Sequence, residues 1–401
     1  MTRIAKNPLV QRFVQWMSAP LSPWLVALGL LVIGALAYGV HIPTWGLYGD
    51  DWIYLYSYHA AGAGSFIDFV RADRPFSFWI YTLITPILGE SIWAYHLLLL
   101  LVRWAGALLL IWVIQLISPR HRHLAVAAAV LFLVYPGFGQ QPVALQFILH
   151  FTVLALTIFS FAAMIKGAGD ERPWLWRALS WFSALVSLFS LEYFVGYELM
   201  RPVVLWIVYG RTGDSLRARI RRVGASWLPF VLIGGVFAAW RVLIFKFPFY
   251  QPETLTMIRQ SPAAGISALL ARLLADLKVV LYDAWRQTLT LPSGDRSGYL
   301  LLAGLAFLVM FLLMKRTVRA TTARSGGFAF VWFSLLLLLV GGIPFWVTDI
   351  PVALSFPWDR ATLPFMLGAA LFTSGMLDWL LRPVFLPYAL ALLVALAVGY
   401  H

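Results

Sequence analysis

Apolar runs of roughly 20 residues, the length a helix needs to cross a hydrocarbon core, recur along the whole chain, and no segment between them is large enough for a separate soluble domain. Inside a bilayer the backbone must satisfy its own hydrogen bonds, so such a chain folds as a bundle of helices. Composition agrees: 61% of residues are hydrophobic, only 12% are charged, and mean hydropathy is +0.82, far from the soluble average. The expected fold is all-α, one polytopic transmembrane bundle over residues 1–401. The net charge of +13 does not indicate nucleic-acid binding, because the Lys and Arg residues sit in short loops between apolar runs, where they orient helices. The absence of cysteine excludes disulfides, thiolate metal sites and cysteine nucleophiles. Nineteen Trp and sixteen Tyr suit aromatic belts at the two membrane interfaces.

Apolar length places spans at 23–40, 92–117, 124–137, 145–165, 176–191, 195–209, 225–247, 299–314, 328–347, 361–381 and 384–400, about eleven crossings. With the N-terminus cytoplasmic, the inner loops collect Arg120, Arg122, Lys166, Arg177, Arg211, Arg217, Arg219, Arg221, Arg222, Lys315, Arg316, Arg319, Arg324 and Arg382, opposed by Asp170, Glu171, Asp214 and Asp378. The other face holds the remaining carboxylates, so the positive-inside rule supports this orientation. Two further apolar segments are expected to lie in the outer interface. Phe76 to Leu88 is short and contains Pro86, and Ala263 to Leu289 carries Arg272, Asp276, Lys278, Asp283 and Arg286. They belong to two outer loops, 41–91 and 248–297. Ala35-Leu36-Ala37 resembles a processing site, but the long n-region and span-length apolar run favour a retained helix. The chain stops inside an apolar segment, which leaves room for a further C-terminal region.

The first outer loop opens with Gly49-Asp50-Asp51-Trp52 and continues to Asp73-Arg74-Pro75. Acidic pairs are scarce in so apolar a chain, so Asp50-Asp51 is the candidate to carry the chemistry. The competing reading is that Asp50 caps the helix that starts near Trp52.

The arrangement resembles the GT-C superfamily of polyprenyl-phosphate-sugar glycosyltransferases, which includes protein O-mannosyltransferases and the aminoarabinose transferases of lipid A. The resemblance runs from about Thr44 to Gln141 and rests on Asp50-Asp51, Arg74-Pro75-Phe76, the Leu88-Gly89 turn and Arg120 to Arg122; Arg74 stands where the family usually has Lys, and Phe76 where it has a second Pro. Beyond that stretch the likeness is architectural. It implies a bacterial inner-membrane enzyme with its site on the extracytoplasmic face. The donor would be a polyprenyl-phosphate sugar, and the acceptor a hydroxyl on lipid, glycan or protein. In an inverting transfer a carboxylate takes the acceptor proton, the role given to Asp50, with Asp51 bonding the sugar or orienting the base. The departing lipid phosphate needs cations rather than an acid, the role given to Arg74. The superfamily allows a divalent metal at the acidic pair, but no second Asp, Glu or His cluster has ligand spacing, so no cofactor is assigned.

Arg241 and Lys246 fall in the outer half of a span, where a charge needs a polar cavity; they either hold the phosphate or pair with an outer carboxylate. Glu192-Tyr193 and Glu198 lie where two spans meet, and Glu198 either touches substrate or pairs with Arg201. Asp359-Arg360 sit in a Pro-rich outer loop resembling a cavity-closing loop. His96 and His150 on apolar helices, and Tyr54 with Tyr56, read as packing residues. The rival functions are a transporter or flippase for lipid-linked saccharide, and a polysaccharide polymerase or its non-catalytic partner.

Overall fold

The computed structural model describes residues 21–169, 172–213, 215–245, 253–290, 296–319 and 326–401. Among these residues the regular structure is entirely helical: α1 Pro23–Ala37, α2 Asp51–Ala61, α3 Phe78–Leu88, α4 Ile92–Ile117, α5 Arg122–Leu133, α6 Ala144–Lys166, α7 Pro173–Ser190, α8 Met200–Tyr209, α9 Leu216–Ala239, α10 Glu253–Gln260, α11 Pro262–Lys278, α12 Arg296–Arg319, α13 Gly327–Thr348, α14 Met366–Leu380 and α15 Leu386–Tyr400. Six helical stretches among them are long and apolar enough to cross a membrane. The exposed apolar side chains of Leu228, Leu232 and Val236 on α9 and of Leu300 and Leu301 on α12 form the kind of surface that a bilayer covers.

The bundle is organised around α5, whose residues from His123 to Leu133 are all buried. It is apolar on every side, as a helix with neighbours all round must be, and Ala125, Ala127, Ala128 and Ala129 let α4 and α14 approach closely. Its apolar run extends in sequence to Gly137, but the helix stops at Leu133. Pro136 explains this: it lacks an amide donor and disfavours the helical conformation of Tyr135 before it. Residues 134–143 instead form an irregular loop that is mostly buried, with Gly139 exposed; its backbone groups find protein partners in Asp359 and Thr362. Likewise the run expected from Val195 begins as a 3-10 segment, Glu192–Leu199, before α8. There Gly196 packs so closely on α13 that an added Cβ would lie 1.8 Å from the Val340 carbonyl oxygen.

The segment containing Pro86 does not cross the bundle. As α3 it has eleven residues, about 16 Å of helix, and both its ends lie at one end of the bundle. Trp79 Nε1 donates to Ser190 Oγ at 2.8 Å, while Gly89 accepts from Tyr95 near the start of α4. The charged segment from Pro262 lies at the same end. Arg272 there bonds Asp276, Asp349 and the Ile350 carbonyl, and Val280 beyond it is fully buried, its carbonyl accepting from Tyr135 Oη. The opposite end carries Arg120, Arg122, Lys166, Arg177, Arg211, Arg219, Arg222 and Arg382, with Asp378, paired to His123, as its one carboxylate among the described residues.

Candidate active site

Gly49 takes a φ of +54°, a conformation that side chains with a Cβ resist, and this turns the chain into α2. Asp50 occupies the N-cap position of that helix without making a side-chain cap bond, and its carboxylate is exposed. The capping reading therefore fails for Asp50 on its own helix. It holds instead for Asp51 on a neighbouring one: Asp51 is fully buried, and its Oδ1 accepts from the Gln146 amide at 3.0 Å in the first turn of α6. Consecutive residues at a helix start point in different directions, so one carboxylate is held and the other is open. Burial pushes the Asp51 carboxyl up to about 7, against the lowering pull of the α6 amides.

That shift sets a pH dependence. The folded protein holds the Asp51 proton more tightly than the unfolded chain, so the conformation is most stable below about pH 4, and stability falls as pH rises toward about 7. Thermal unfolding of Asp51→Asn is expected to lack this component while keeping an acceptor for the α6 amides. Asp51→Ala, which removes the acceptor, is expected to lose about 1–2 kcal/mol. Parallel melting-versus-pH curves for wild type and Asp51→Asn would refute the assignment.

Asp73 and Arg74 follow the short helix at Phe66–Phe69, with the Arg74 amide bonded to the Val70 carbonyl at 2.8 Å. The Arg74 guanidinium donates to Asp73 Oδ2 at 2.5 Å and Glu192 Oε1 at 2.9 Å, and sits over the Tyr193 ring at 5.6 Å. Burial works to raise both carboxyls. The guanidinium overcomes burial at Glu192, which stays below its ordinary value, whereas Asp73 is left raised. Arg241 lines the same crevice from a π-helical turn, Trp240–Ile244, an irregularity that re-aims side chains and recurs at functional sites. Arg360 lies close enough to act on both Asp73 and His150. Among the described residues, the carboxylates Asp73 and Glu192 and the guanidiniums of Arg74 and Arg241 line this crevice together. The crevice has room for about 10 Å³, one water molecule.

Asp359 belongs to a neighbouring arrangement. Its carboxylate accepts from the Gly139 amide at 2.9 Å and from Gln140 Nε2, while Thr362 bonds the Gly137 carbonyl at 3.1 Å. The loop at 349–365 thereby clasps the buried 134–143 loop. An added Cβ at Gly49 would lie 3.8 Å from Val143 and 3.9 Å from Phe356, so both loops border the acidic pair. Of the residues expected at the site, Asp50, Asp51, Asp73, Arg74, Glu192, Tyr193, Arg241, Asp359 and Arg360 gather at this end. Glu198 does not join them: both its oxygens bond Arg201 at 2.6 Å, and Arg201 also reaches Ser160, about 21 Å down α6 from Gln146. Lys246 lies outside the described residues.

Sequence reading missed Arg103, Gln140 and Gln141. Arg103 is fully buried in α4, donates to Gln141 Oε1 at 2.8 Å, and stands over the rings of Tyr38, Phe151 and Phe138 at 4.6, 5.1 and 5.7 Å. The signal was present, since a charge inside a span is a functional candidate by default, and Pro136 and Pro142 bracket the loop. Among the described residues no group of three or more His, Asp or Glu side chains converges as a metal site. The acidic pair does not fit a chelate either, because Asp51 is buried against α6 while Asp50 is exposed. Comparisons with protein-family models, with curated proteins and with solved structures gave no match.

Proposed function

We propose that this chain is a membrane glycosyltransferase that moves a sugar from a polyprenyl-phosphate donor to an acceptor hydroxyl, with inversion at the anomeric carbon. The observation that carries the reading is the division of labour in the acidic pair: Asp50 presents an open carboxylate at the end of the bundle where Arg74, Arg241 and Arg360 assemble. Asp50 takes the acceptor proton as the hydroxyl attacks. The bond from the anomeric carbon to the phosphate oxygen breaks, and the lipid phosphate leaves as an anion that guanidiniums stabilise without protonation. Arg74 is held by Asp73 and Glu192 in a crevice too small for a sugar phosphate, so the phosphate meets the outer guanidiniums first and Arg74 supports their field.

In this reading the chain crosses a bacterial inner membrane eleven times, and the site faces outward. The arginine-rich end opposite Asp50 supports that orientation. A second reading, transport of a lipid-linked saccharide, is favoured by one feature. The 134–143 loop and the Arg103 charge lie inside the bundle, where a transporter places broken backbone and polar groups. Purified protein in liposomes, supplied with polyprenyl-phosphate hexoses and pentoses and candidate acceptors, separates the two. Release of polyprenyl phosphate supports transfer. Movement of intact lipid-linked sugar between leaflets without release supports transport.

A further inference from the structure

At the arginine-rich end, far from Asp50, a cavity of about 410 Å³ opens between the α6–α7 pair and the α8–α9 pair. The two pairs are each tied internally. Ser160 and Ser180 exchange hydrogen bonds at 2.7 and 2.6 Å between α6 and α7, and Tyr209 Oη meets Ser226 Oγ at 2.7 Å between α8 and α9. Between them the cavity is lined by Arg177, Arg222, Tyr209, Ser180 and Ser226, with no carboxylate among the described lining residues. Arg177 is positioned by an Nε bond to the Gly167 carbonyl at 3.2 Å, and Arg222 by its Tyr209 ring contact at 4.9 Å. Pro229, also in the lining, has no amide hydrogen, so the Ala225 carbonyl across the same turn lacks its α-helical donor. The remaining wall, with Trp181, Met164 and Phe230, is apolar. Exposed Phe182 and Leu185 on α7 and Leu228 and Leu232 on α9 continue an apolar surface along the same helices.

Two guanidiniums and an adjoining apolar flank match one chemistry. We propose that this cavity binds the phosphodiester headgroup of an anionic glycerophospholipid, with Arg177 and Arg222 on the phosphate and the acyl chains running along α7 and α9. Paired arginines suit phosphate oxygens, and the volume falls within the range of small-molecule sites. Asp170, Glu171 and Asp214, which neighbour this end in sequence, lie outside the described residues. The site stands independently of the sugar-transfer reading.

The test is native mass spectrometry of the purified full chain with phosphatidylglycerol and phosphatidylcholine of identical acyl chains, and with inorganic phosphate as competitor. The expected result is at least tenfold tighter retention of phosphatidylglycerol, lost in the double variant Arg177→Gln/Arg222→Gln and unaffected by millimolar inorganic phosphate. Ala225→Trp, which fills the cavity and keeps both arginines, is expected to lose the same preference while melting near wild type by tryptophan fluorescence. Equal retention of the two lipids, or an undiminished preference in either variant, overturns the proposal. Displacement by inorganic phosphate overturns its lipid part and assigns the cavity to a soluble phosphate.

Discussion

Asp50→Asn is expected to lower the rate of polyprenyl-phosphate release by about 10²–10⁴-fold, the contribution typical of a positioned general base, with little change in donor KM. The amide is isosteric with the carboxylate but cannot accept the acceptor's proton, so the loss falls on the chemical step. Folding should be untouched, because the Asp50 side chain is exposed and makes no cap bond. Asp51→Asn is the matched control. It makes the same carboxyl-to-amide change one residue away, on a group that faces α6, and should retain most of the turnover. Turnover preserved in Asp50→Asn would sink the base assignment. Equal losses in both variants would show that the charge of the pair matters, rather than one proton acceptor.

The second large effect is structural. Arg201 is fully buried, and its guanidinium sits 3.9 Å from the Phe230 ring centroid and 4.5 Å from that of Phe161, with Glu198 on two of its nitrogens. Arg201→Met leaves the Glu198 carboxylate without its cation, and breaking such a buried pair costs about 3–5 kcal/mol. The double variant Arg201→Met/Glu198→Gln removes the orphaned charge and is expected to recover most of that loss, because replacing both members of a buried pair is far less costly than replacing one. Thermal unfolding of wild type, Arg201→Met, Glu198→Gln and the double variant in one detergent measures the coupling. Losses that simply add across the single and double variants would contradict it.

The helices were legible where apolar length alone decides. Ile92–Ile117 appears as expected, and Ala144–Lys166 and Gly327–Thr348 differ from their expected spans by a residue at each end. Reading failed where a turn residue interrupts an apolar run. Pro136 ends α5 early, and hydropathy cannot distinguish a buried loop from a buried helix of the same composition. Within the site, the acidic pair and Arg74 stood out because charge is rare in such a chain. Arg103 escaped notice because it is one residue in a 26-residue apolar helix. Its partner Gln141 lies 38 positions away, a distance that periodicity does not span.

Composition and patterning by themselves determined that the chain is a helical membrane bundle with basic residues concentrated in one set of loops, since both follow from transfer free energies that are summed locally along the sequence. Tertiary structure alone decided which carboxylate of the pair is open, that Glu192 rather than Glu198 meets Arg74, and that the 134–143 loop lies inside the bundle. Those outcomes depend on which helix ends meet, because a buried charge or amide settles on whichever partner packing brings within hydrogen-bond reach.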